Sequence, residues 1–358
     1  MFTQRLLKWS QENERDLPWK ATKDAYTIWL SEIILQQTRV QQGRPYFNKF
    51  IAAYPNVKEL ANAPEDEIMR LWEGLGYYSR ARNLHFTAKY IAEELNGVFP
   101  DTYENIKLLK GVGTYTAAAI ASFAYDLPHA VVDGNVYRVL SRIFGIETPI
   151  DTTKGKKEFA ALADKLLTKK QAAAYNQAIM DFGATQCVPK NPNCVICPMQ
   201  AECVAFRADL IKKLPVKSKK MKKQSRFFNY LFIKTEKDKT TLRKRVEKDI
   251  WQNLYELPMI ETSVFLSKKE LENHDFWGTF FVEKPAFLLK SVSKIYKQQL
   301  THRTIHARFF EIELLESIEI ADKNAILSNI NDFSNYAFPK IINTYLGDKN
   351  ESQQNMLF

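Results

Sequence analysis

Residues 109–125 read Leu-Lys-Gly-Val-Gly-Thr-Tyr-Thr-Ala-Ala-Ala-Ile-Ala-Ser-Phe-Ala-Tyr, a two-glycine turn followed by small and apolar residues. The pattern predicts a helix, a tight turn and an alanine-rich second helix. Two glycines let the backbone turn and bring N–H groups at a helix N-terminus close to a phosphate. A lone Gly-Val-Gly is a weak signal, and an ordinary turn between helices is an equal alternative at this point.

The length of 358 residues predicts two or three domains. With 45% hydrophobic, 13% aromatic and 26% charged residues, the composition excludes a disordered or fibrous chain. Much of the net charge of +10 comes from residues 211–226, which hold seven Lys, one Arg and no acidic residue. This basic run is compatible with a solvated linker and equally with contact to a polyanion.

The sequence contains no apolar stretch of the roughly 20 residues that a membrane-spanning helix needs. The N-terminus becomes charged before a signal-peptide core can form. We therefore expect a soluble protein in a reducing compartment, without a membrane partner. Disulfides are rare in such a compartment, so clustered cysteines there favour a metal or a cluster.

All four cysteines lie within seventeen residues, with the spacing C-x6-C-x2-C-x5-C: Cys187, Cys194, Cys197 and Cys203. Thiolates select zinc or iron–sulfur centres. Zinc sites usually present two short C-x2-4-C pairs, and only one pair has that spacing here. The spacing therefore favours a [4Fe–4S] cluster in a loop at 187–203. A structural role for the cluster is the simpler expectation, although spacing does not exclude a redox role.

The periodicity of apolar residues changes along the chain and predicts a helical domain (1–205), a basic linker (206–226) and a smaller α/β domain (227–358). In the first domain, helical spacing covers 27–40, 58–63, 66–72, 86–95 and 157–183. In the second, alternating segments cover 227–234, 279–284, 287–292 and 308–315, and helical patterning covers 323–333 and 340–346.

Glu32 is the single charged residue in the apolar run from Ile28 to Leu35. On a helix, the neighbours on its face would include Ile28, Trp29 and Leu35. Such neighbours desolvate a carboxyl and raise its pKa, which prepares it to act as a general acid near neutral pH. A hydrogen-bonded or ion-paired structural glutamate is the alternative.

Asp133 follows the apolar residues 130–132 and precedes a helical pattern from Gly134 onwards. Taken alone, this position predicts an ordinary helix N-cap. An N-cap carboxylate can nevertheless face a cavity and stabilise a cation there.

Residues 74–83 (Gly-Leu-Gly-Tyr-Tyr-Ser-Arg-Ala-Arg-Asn) combine a flexible turn with two aromatic residues and two arginines. Such a turn could insert an apolar wedge between base steps while the arginines contact phosphates. A packed turn between helices would have the same composition.

Together these motifs resemble the adenine DNA glycosylases of the MutY type, in the endonuclease III-like helix-hairpin-helix superfamily. The resemblance rests on the hairpin, the cysteine spacing, residues 74–83 and four shorter motifs: Leu17-Pro18-Trp19, Trp29–Glu32, Leu35–Thr38 and Asp133–Val136. It implies an all-α core with the hairpin at about 105–123, an iron–sulfur cluster loop, and a Nudix-like α/β C-terminal domain.

The resemblance also implies roles for individual residues. Glu32 would protonate N7 of adenine, Asp133 would stabilise the oxocarbenium ion, and Asn135 would help to position it. Further contacts with DNA or adenine are implied for the N-terminal pocket segment (Arg15, Trp19, Lys20), the wedge (Gln37, Leu75, Tyr77), and Thr38, Gly111, Gly113 and Gln177.

Tyr115 occupies a position that decides between two reaction types in this superfamily. In bifunctional relatives that cleave oxidised pyrimidines, a lysine two residues after the second hairpin glycine forms a Schiff base. A phenol cannot do so, and Tyr115 therefore predicts a monofunctional glycosylase that leaves an abasic site. The alternatives are a bifunctional pyrimidine glycosylase/lyase and, from another class, a catalytically silent DNA-damage binding module.

The C-terminal domain resembles the Nudix-like domain of the same family through residues 251–258 and 302–306. It lacks the Glu-rich Nudix helix, so pyrophosphate hydrolysis is not expected. Lesion recognition is implied for Thr304, Ile305 and His306, where the family often has Phe-Ser-His. The expected partner is double-stranded DNA with A:8-oxoguanine or A:G mispairs, bound by a monomer in the cytoplasm, at the nucleoid, if the source is bacterial.

Overall fold

The computed structural model describes residues 2–218, 223–235, 239–316 and 319–354, without the side chains of 352–354. Its described residues form two compact units, one from 1–62 and 83–220 and the other from 63–82 and 221–358. Residues 63–82 lie inside the range predicted for the helical domain, yet they group with the second unit. The boundaries at 205 and 226 stay a prediction, and residues 219–222 of the linker lie outside the described residues.

The first unit is helical, as predicted, and the second unit contributes the helix Glu65–Leu71 and the start of the helix Ser79–Glu93 to the N-terminal series. The helices of the series are α1 (Phe2–Glu12), α2 (Ala25–Leu35), α3 (Val40–Ala53), α4 (Val57–Asn62), α5 (Glu65–Leu71), α6 (Ser79–Glu93), α7 (Tyr103–Leu108), α8 (Thr114–Tyr125), α9 (Gly134–Phe144), α10 (Thr153–Leu166), α11 (Ala172–Asp181) and α12 (Val204–Arg207). Short 3₁₀ turns cover Lys169–Gln171 and Gln200–Glu202, and a π turn covers Phe182–Gln186.

Two long helical predictions are interrupted in the structure. The predicted helix at 27–40 is split because Gln37 adopts a left-handed backbone conformation (φ 55°), and the N–H of Gln36 closes α2 on the carbonyl of Glu32. The predicted helix at 157–183 is divided between α10 and α11 by the turn at 167–171. Helical periodicity persists across both breaks, and therefore it does not reveal them.

One core cluster of the first unit lies between α1, α9, α10 and α11. Leu6, Val139, Phe159 and Ile179 are buried there, and the ring of Phe182 meets Trp9 edge to face at 4.9 Å. This packing fixes α9 and α11, and both helices contribute residues to the site described below.

The predicted hairpin consists of α7, the turn at 109–113 and α8. Gly111 has φ +82°, and a Cβ built on it would lie 2.8 Å from Cβ of Asn83. Both the backbone conformation and the lack of space therefore require glycine there. Gly113 is the N-cap of α8, so this helix begins at the turn, as predicted.

The second unit is built on a mixed sheet. The strands are β1 (Gln224–Lys234), β2 (Lys239–Lys244), β3 (Tyr255–Glu256), β4 (Met259–Thr262), β5 (Phe287–Val292), β6 (Tyr296–Gln299), β7 (Arg303–Leu314) and β8 (Ala325–Asn329). Their order in the sheet is β3-β2-β1-β7-β5; β4 also pairs with β1, β6 with β7, and β8 with β2. Strands β1 and β7 are parallel, and the other pairs are antiparallel. Helices α13 (Lys268–Glu272), α14 (Phe276–Phe280) and α15 (Lys340–Gln354) complete the predicted α/β unit.

Two segment predictions in this unit are wrong. Residues 279–284 are not a strand, because Trp277, Phe280 and Phe281 enter the core at helical spacing and α14 forms instead. Residues 323–333 are not a helix, because β8 pairs antiparallel with β2 and a 3₁₀ turn follows it. In both cases tertiary packing overrides the local pattern. No helix among the described residues is long and apolar enough to cross a membrane.

Candidate active site

A cavity of about 1430 Å³ opens in the first unit between α2, the hairpin, the start of α9 and α11. It brings together most of the residues singled out from the sequence. The predicted site residues that line it are Arg15, Trp19, Lys20, Glu32, Gln37, Thr38, Gly111, Gly113, Tyr115, Asp133, Asn135 and Gln177.

Glu32 lies on α2 at the wall of this cavity and is 6% exposed. Burial raises the pKa of its carboxyl to about 7, a hydrogen bond from the Tyr115 hydroxyl opposes the shift, and the nearby Asp133 adds to it. Burial and the two acids in turn raise the pKa of Tyr115 well above its usual value, so its phenol stays protonated. At neutral pH, Glu32 is thus an acid close to half protonation.

Asp133 caps α9 as predicted and also faces the cavity. Its Oδ1 accepts the backbone N–H groups of Asn135 (2.9 Å) and Val136 (2.8 Å), and its Oδ2 accepts Nδ2 of Asn135 (2.7 Å). Burial raises the pKa of Asp133, whereas these hydrogen bonds and the charge of Arg138 oppose the rise. The two cavity carboxyls therefore differ, because three N–H donors stabilise the ionised form of Asp133.

Two buried arginines one turn apart on α9 were not identified from the sequence. Arg138 donates to Oδ1 of Asn135 (2.8 Å) and to the carbonyl of Cys187 (2.7 Å). Arg142 donates to the carbonyl of Val188 (2.8 Å) and lies 3.5 Å from Sγ of Cys187. The available signal was their i, i+4 spacing on the helix that follows Asp133, which places both arginines on one helix face. Buried arginines need polar partners, so this face was a candidate for contacts with the site.

Asp181 on α11 is a second residue that the sequence interpretation missed. It is 4% exposed and forms ion pairs with Arg15 (3.0 Å) and Lys20, and Nε2 of Gln177 donates to it (3.4 Å). Trp19 packs edge to face on Phe47 beside this cluster. The position of Asp181 one helical turn after Gln177 was the signal for it.

The four cysteines influence one another electrostatically. Burial raises the pKa of Cys197 to about 11, with smaller contributions from Cys187, Cys203 and Cys194. Backbone N–H groups point at two of the sulfurs, from Met199 to Cys197 and from Phe206 and Ala205 to Cys203. Across the described ranges, no group of three or more His, Cys, Asp or Glu side chains is arranged to hold a metal ion.

The remaining predicted site residues lie in the second unit. Leu75 is buried, whereas Tyr77 is 45% exposed at a left-handed position (φ 51°). Thr304 and Ile305 are buried in β7, so neither presents its side chain to solvent. His306 is half-buried, and its ring stacks on Phe227 at 4.9 Å.

Residues 30–167 match the HhH-GPD superfamily of base excision DNA repair proteins, and residues 229–347 match the NUDIX domain. The structure is similar to that of a thermostable thymine-DNA glycosylase, with a TM-score of 0.54 and 30% identity over 58% of this chain and 95% of that one. These matches confirm the predicted combination of a helix-hairpin-helix core with a Nudix-like domain.

Two bacterial relatives match most of the chain. The adenine DNA glycosylase of Buchnera aphidicola subsp. Acyrthosiphon pisum (strain APS) is 37% identical over 76% of this chain and 79% of its own. The adenine DNA glycosylase of Buchnera aphidicola subsp. Baizongia pistaciae (strain Bp) is 32% identical over 92% and 89%. The chain belongs to the adenine DNA glycosylase family.

Proposed function

We propose that this chain excises adenine that is mispaired with 8-oxoguanine or guanine in double-stranded DNA, by hydrolysing its N-glycosidic bond. The observation that carries the proposal is the pair of unlike carboxyls in one cavity. Glu32 retains its proton up to about pH 7, and Asp133 is held by three N–H donors. Glycoside hydrolysis needs one protonated and one ionised carboxyl, and the surroundings of Glu32 and Asp133 favour these two states.

The reaction begins with extrusion of the adenine nucleotide, because a base inside a duplex is inaccessible to the enzyme. Glu32 donates its proton to N7 of adenine, so the base accepts the electron pair of the breaking N-glycosidic bond and leaves as a neutral molecule. The carboxylate of Asp133 stabilises the oxocarbenium-like sugar. Water then adds to the sugar and releases a proton to solvent, from which the Glu32 carboxylate regains one, and an abasic site is left.

Asn135 and Tyr115 position the two carboxyls. Asn135 holds Oδ2 of Asp133 through its Nδ2, while its Oδ1 accepts from Arg138, so the amide orientation is fixed from both sides. The Tyr115 hydroxyl donates to Glu32. With a phenol rather than an amine here, we propose that the enzyme forms no Schiff base and is monofunctional.

DNA contacts follow from three parts of the molecule. The turn at Gly111 and Gly113 presents backbone N–H groups at the start of α8 for a phosphate. Arg15, Trp19, Lys20 and Gln177 provide the pocket for the extruded adenine, with Asp181 holding both cations. Gln37, Thr38 and the wedge turn, which we define as residues 74–77 with Tyr77 at its tip, contact the base stack.

For recognition of the base opposite adenine, His306 is the accessible residue of the three in β7. A histidine ring nitrogen can donate or accept a hydrogen bond, as reading a lesion edge requires. Thr304 and Ile305 are both buried, so we assign them a supporting role in the strand rather than a direct contact with the base.

We further propose that the four cysteines hold a [4Fe–4S] cluster. The four side chains are not gathered into a metal-binding group in the described residues, so the proposal is supported by their chemistry: all four thiols lie on one loop, backbone N–H groups point at two of them, and Arg142 supplies a positive charge at Cys187. The cluster would cross-link the loop from 187 to 203. Purified protein should contain about four iron and four sulfide per chain; colourless, zinc-loaded protein from anaerobic expression would contradict this assignment.

The test of the function is single-turnover release of adenine from duplexes with one A:8-oxoguanine, A:G or A:T pair, for wild type and Glu32→Gln. We expect wild type to cleave the two mispairs, and we expect the variant to bind them but release no base, because an amide cannot deliver the proton. Glu104→Gln, an exposed change on α7, is the matched control. Binding without cleavage by wild type would instead indicate a silent damage-binding module, and borohydride trapping of wild type would indicate a lyase.

A further inference from the structure

The wedge turn has a backbone conformation that it could not keep by itself. Gly74, Gly76 and Tyr77 all have positive φ, at 86°, 78° and 51°. For a tyrosine this conformation is unfavourable, and it persists only where surrounding contacts determine it. The turn therefore depends on its supports.

One support comes from within the turn and its flanks. The Trp72 indole N–H (3.0 Å) and Nη2 of Arg80 (3.2 Å) both donate to the carbonyl of Gly76. The Arg80 guanidinium lies over the Trp72 ring at 5.1 Å and over the Tyr77 ring at 5.4 Å. These contacts fix the backbone of the turn and the direction of the Tyr77 ring.

The other support comes from the C-terminal part of the same unit, the described residues from 223 onwards, which we call the C-terminal fold. Glu73 Oε1 accepts the backbone N–H of Phe338 (2.8 Å) and Nδ2 of Asn343 (2.7 Å), at the start of α15. On the far side of the turn, Nη1 of Arg82 donates to the carbonyl of Gln252 (2.7 Å). The chain is thus attached to the C-terminal fold both before and after the turn.

Besides the attachments through Glu73 and Arg82, a third one joins the tip of the wedge turn to the C-terminal fold. The Tyr77 hydroxyl and Oγ1 of Thr301 are 2.9 Å apart and form a hydrogen bond. Thr301 lies in the short loop between β6 and β7, three residues before Thr304. The side chain that we assign to the base stack is therefore bonded to the loop that leads into the strand with His306.

We propose that the C-terminal fold holds the wedge turn ready for DNA, with Glu73 and Thr301 as positioning residues for Tyr77. The proposal rests on the proposed function, since it gives the wedge its purpose there. A side chain that enters a base stack binds more tightly when it is already ordered, because less conformational entropy is lost on binding. The C-terminal fold would then act on the duplex through the wedge as well as through its own contacts.

The experiment uses the full chain and a duplex with 2-aminopurine beside an A:8-oxoguanine pair, whose fluorescence increases when the wedge unstacks it. Thr301→Val and Tyr77→Phe each remove the same hydrogen bond, and we expect each to weaken the fluorescence-detected binding about three- to tenfold. Because both changes remove one shared bond, the double variant should be no weaker than the weaker single variant. Thr301→Ser should retain wild-type binding.

Glu73 provides an independent arm. Glu73→Gln keeps an oxygen that can accept both hydrogen bonds, whereas Glu73→Ala removes it, so only the alanine variant should weaken the fluorescence change. Thr279→Val, which removes an exposed hydroxyl bonded to the carbonyl of Phe276, is the matched control and should behave as wild type.

Additive effects of Thr301→Val and Tyr77→Phe, or wild-type behaviour of Thr301→Val, would overturn the proposal. Melting temperatures separate loss of positioning from loss of folding for Glu73→Ala. If wild type unstacks the duplex but releases no adenine, the proposed function fails while this inference stands. If wild type releases adenine and the variants unstack the duplex normally, only this inference fails.

Discussion

Glu32 in the helical unit and Glu256 in the sheet unit are both buried, at 6% and 1% exposure, but their surroundings differ in charge. Glu256 accepts two hydrogen bonds from Nη1 of Arg245, at 2.9 and 2.8 Å, and one from the Tyr230 hydroxyl at 3.2 Å. The groups acting on Glu32 are a neutral hydroxyl, from Tyr115, and a second acid, Asp133.

The difference shows how one residue type serves two purposes. Burial raises the pKa of both glutamates, but at Glu256 the positive charge of Arg245 opposes the rise and stabilises the carboxylate. The net direction is upward at both residues, and at Glu32, whose neighbours are a hydroxyl and a second acid, the pKa reaches about 7. Glu256 thus belongs to a structural ion pair with Arg245, whereas Glu32 is an acid that can give up its proton at neutral pH.

The largest effect on stability is expected from removing the arginine that pairs with the structural glutamate, Glu256. Arg245→Met would remove the cation that hydrogen-bonds to the buried carboxylate of Glu256 and leave it only the more distant Arg243, whose Nη1 lies 3.8 Å away. This loss should lower the free energy of unfolding by about 3–5 kcal/mol. Chemical denaturation at neutral pH measures this loss. Adding Glu256→Gln to the same chain should recover part of it, since the buried charge is then gone.

Lys290→Met is the control for that experiment, because it breaks the exposed ion pair between Lys290 and Glu313. Its effect should stay within about 1 kcal/mol. Equal losses of unfolding free energy from Arg245→Met and Lys290→Met would mean that burial does not determine how much these ion pairs contribute to stability.

The second effect concerns the other cavity carboxyl. Asp133→Asn keeps an oxygen that can cap α9 but removes the negative charge, so we expect adenine release to slow by about 10²–10³-fold while folding is retained. Single-turnover kinetics measure the rate. Asp24→Asn, the same change at the N-cap of α2, is the matched control and should leave the rate unchanged. A near-normal rate for Asp133→Asn would remove this residue from the mechanism.

A smaller effect is expected on stability from Glu32 itself. Its pKa is higher in the folded protein than in the unfolded chain, so the folded state binds the proton more tightly and stability falls as the pH rises from about 4.5 to about 7. Glu32→Gln carries no such charge. The variant should match wild type near pH 4 and be more stable by on the order of 1–3 kcal/mol above pH 7. Thermal unfolding across this pH range measures the difference, and a constant difference at all pH values would contradict it.

Much of the site was predictable because its residues occur in local patterns. A lone Glu32 among apolar residues indicates a desolvated acid, Asp133 before a helical pattern indicates a cap, and two glycines at 111 and 113 indicate a hairpin turn. Each of these inferences needs only the neighbouring residues. The cavity in the structure then brings the three patterns together.

What could not be predicted depends on contacts between residues distant in sequence. Asp181 is significant because Arg15 and Lys20 pair with it across more than 160 positions. The grouping of 63–82 with the sheet unit likewise depends on remote partners, such as Asp66 with Lys244 (2.6 Å) and Glu73 with Phe338. Similarly, the buried state of Ile305 follows from its position between β1 and β6, which local alternation did not reveal.

The pH dependence of single-turnover adenine release, with enzyme saturating, tests the central claim that Glu32 acts as a protonated acid. Since the protonated form is the active one, the rate should be constant well below pH 7, reach half its maximum near the pKa of about 7, and fall above it. The fall should be about tenfold per pH unit. A rate that stays constant, or rises, between about pH 6 and pH 9 would contradict the account, because release would then not require the proton on Glu32.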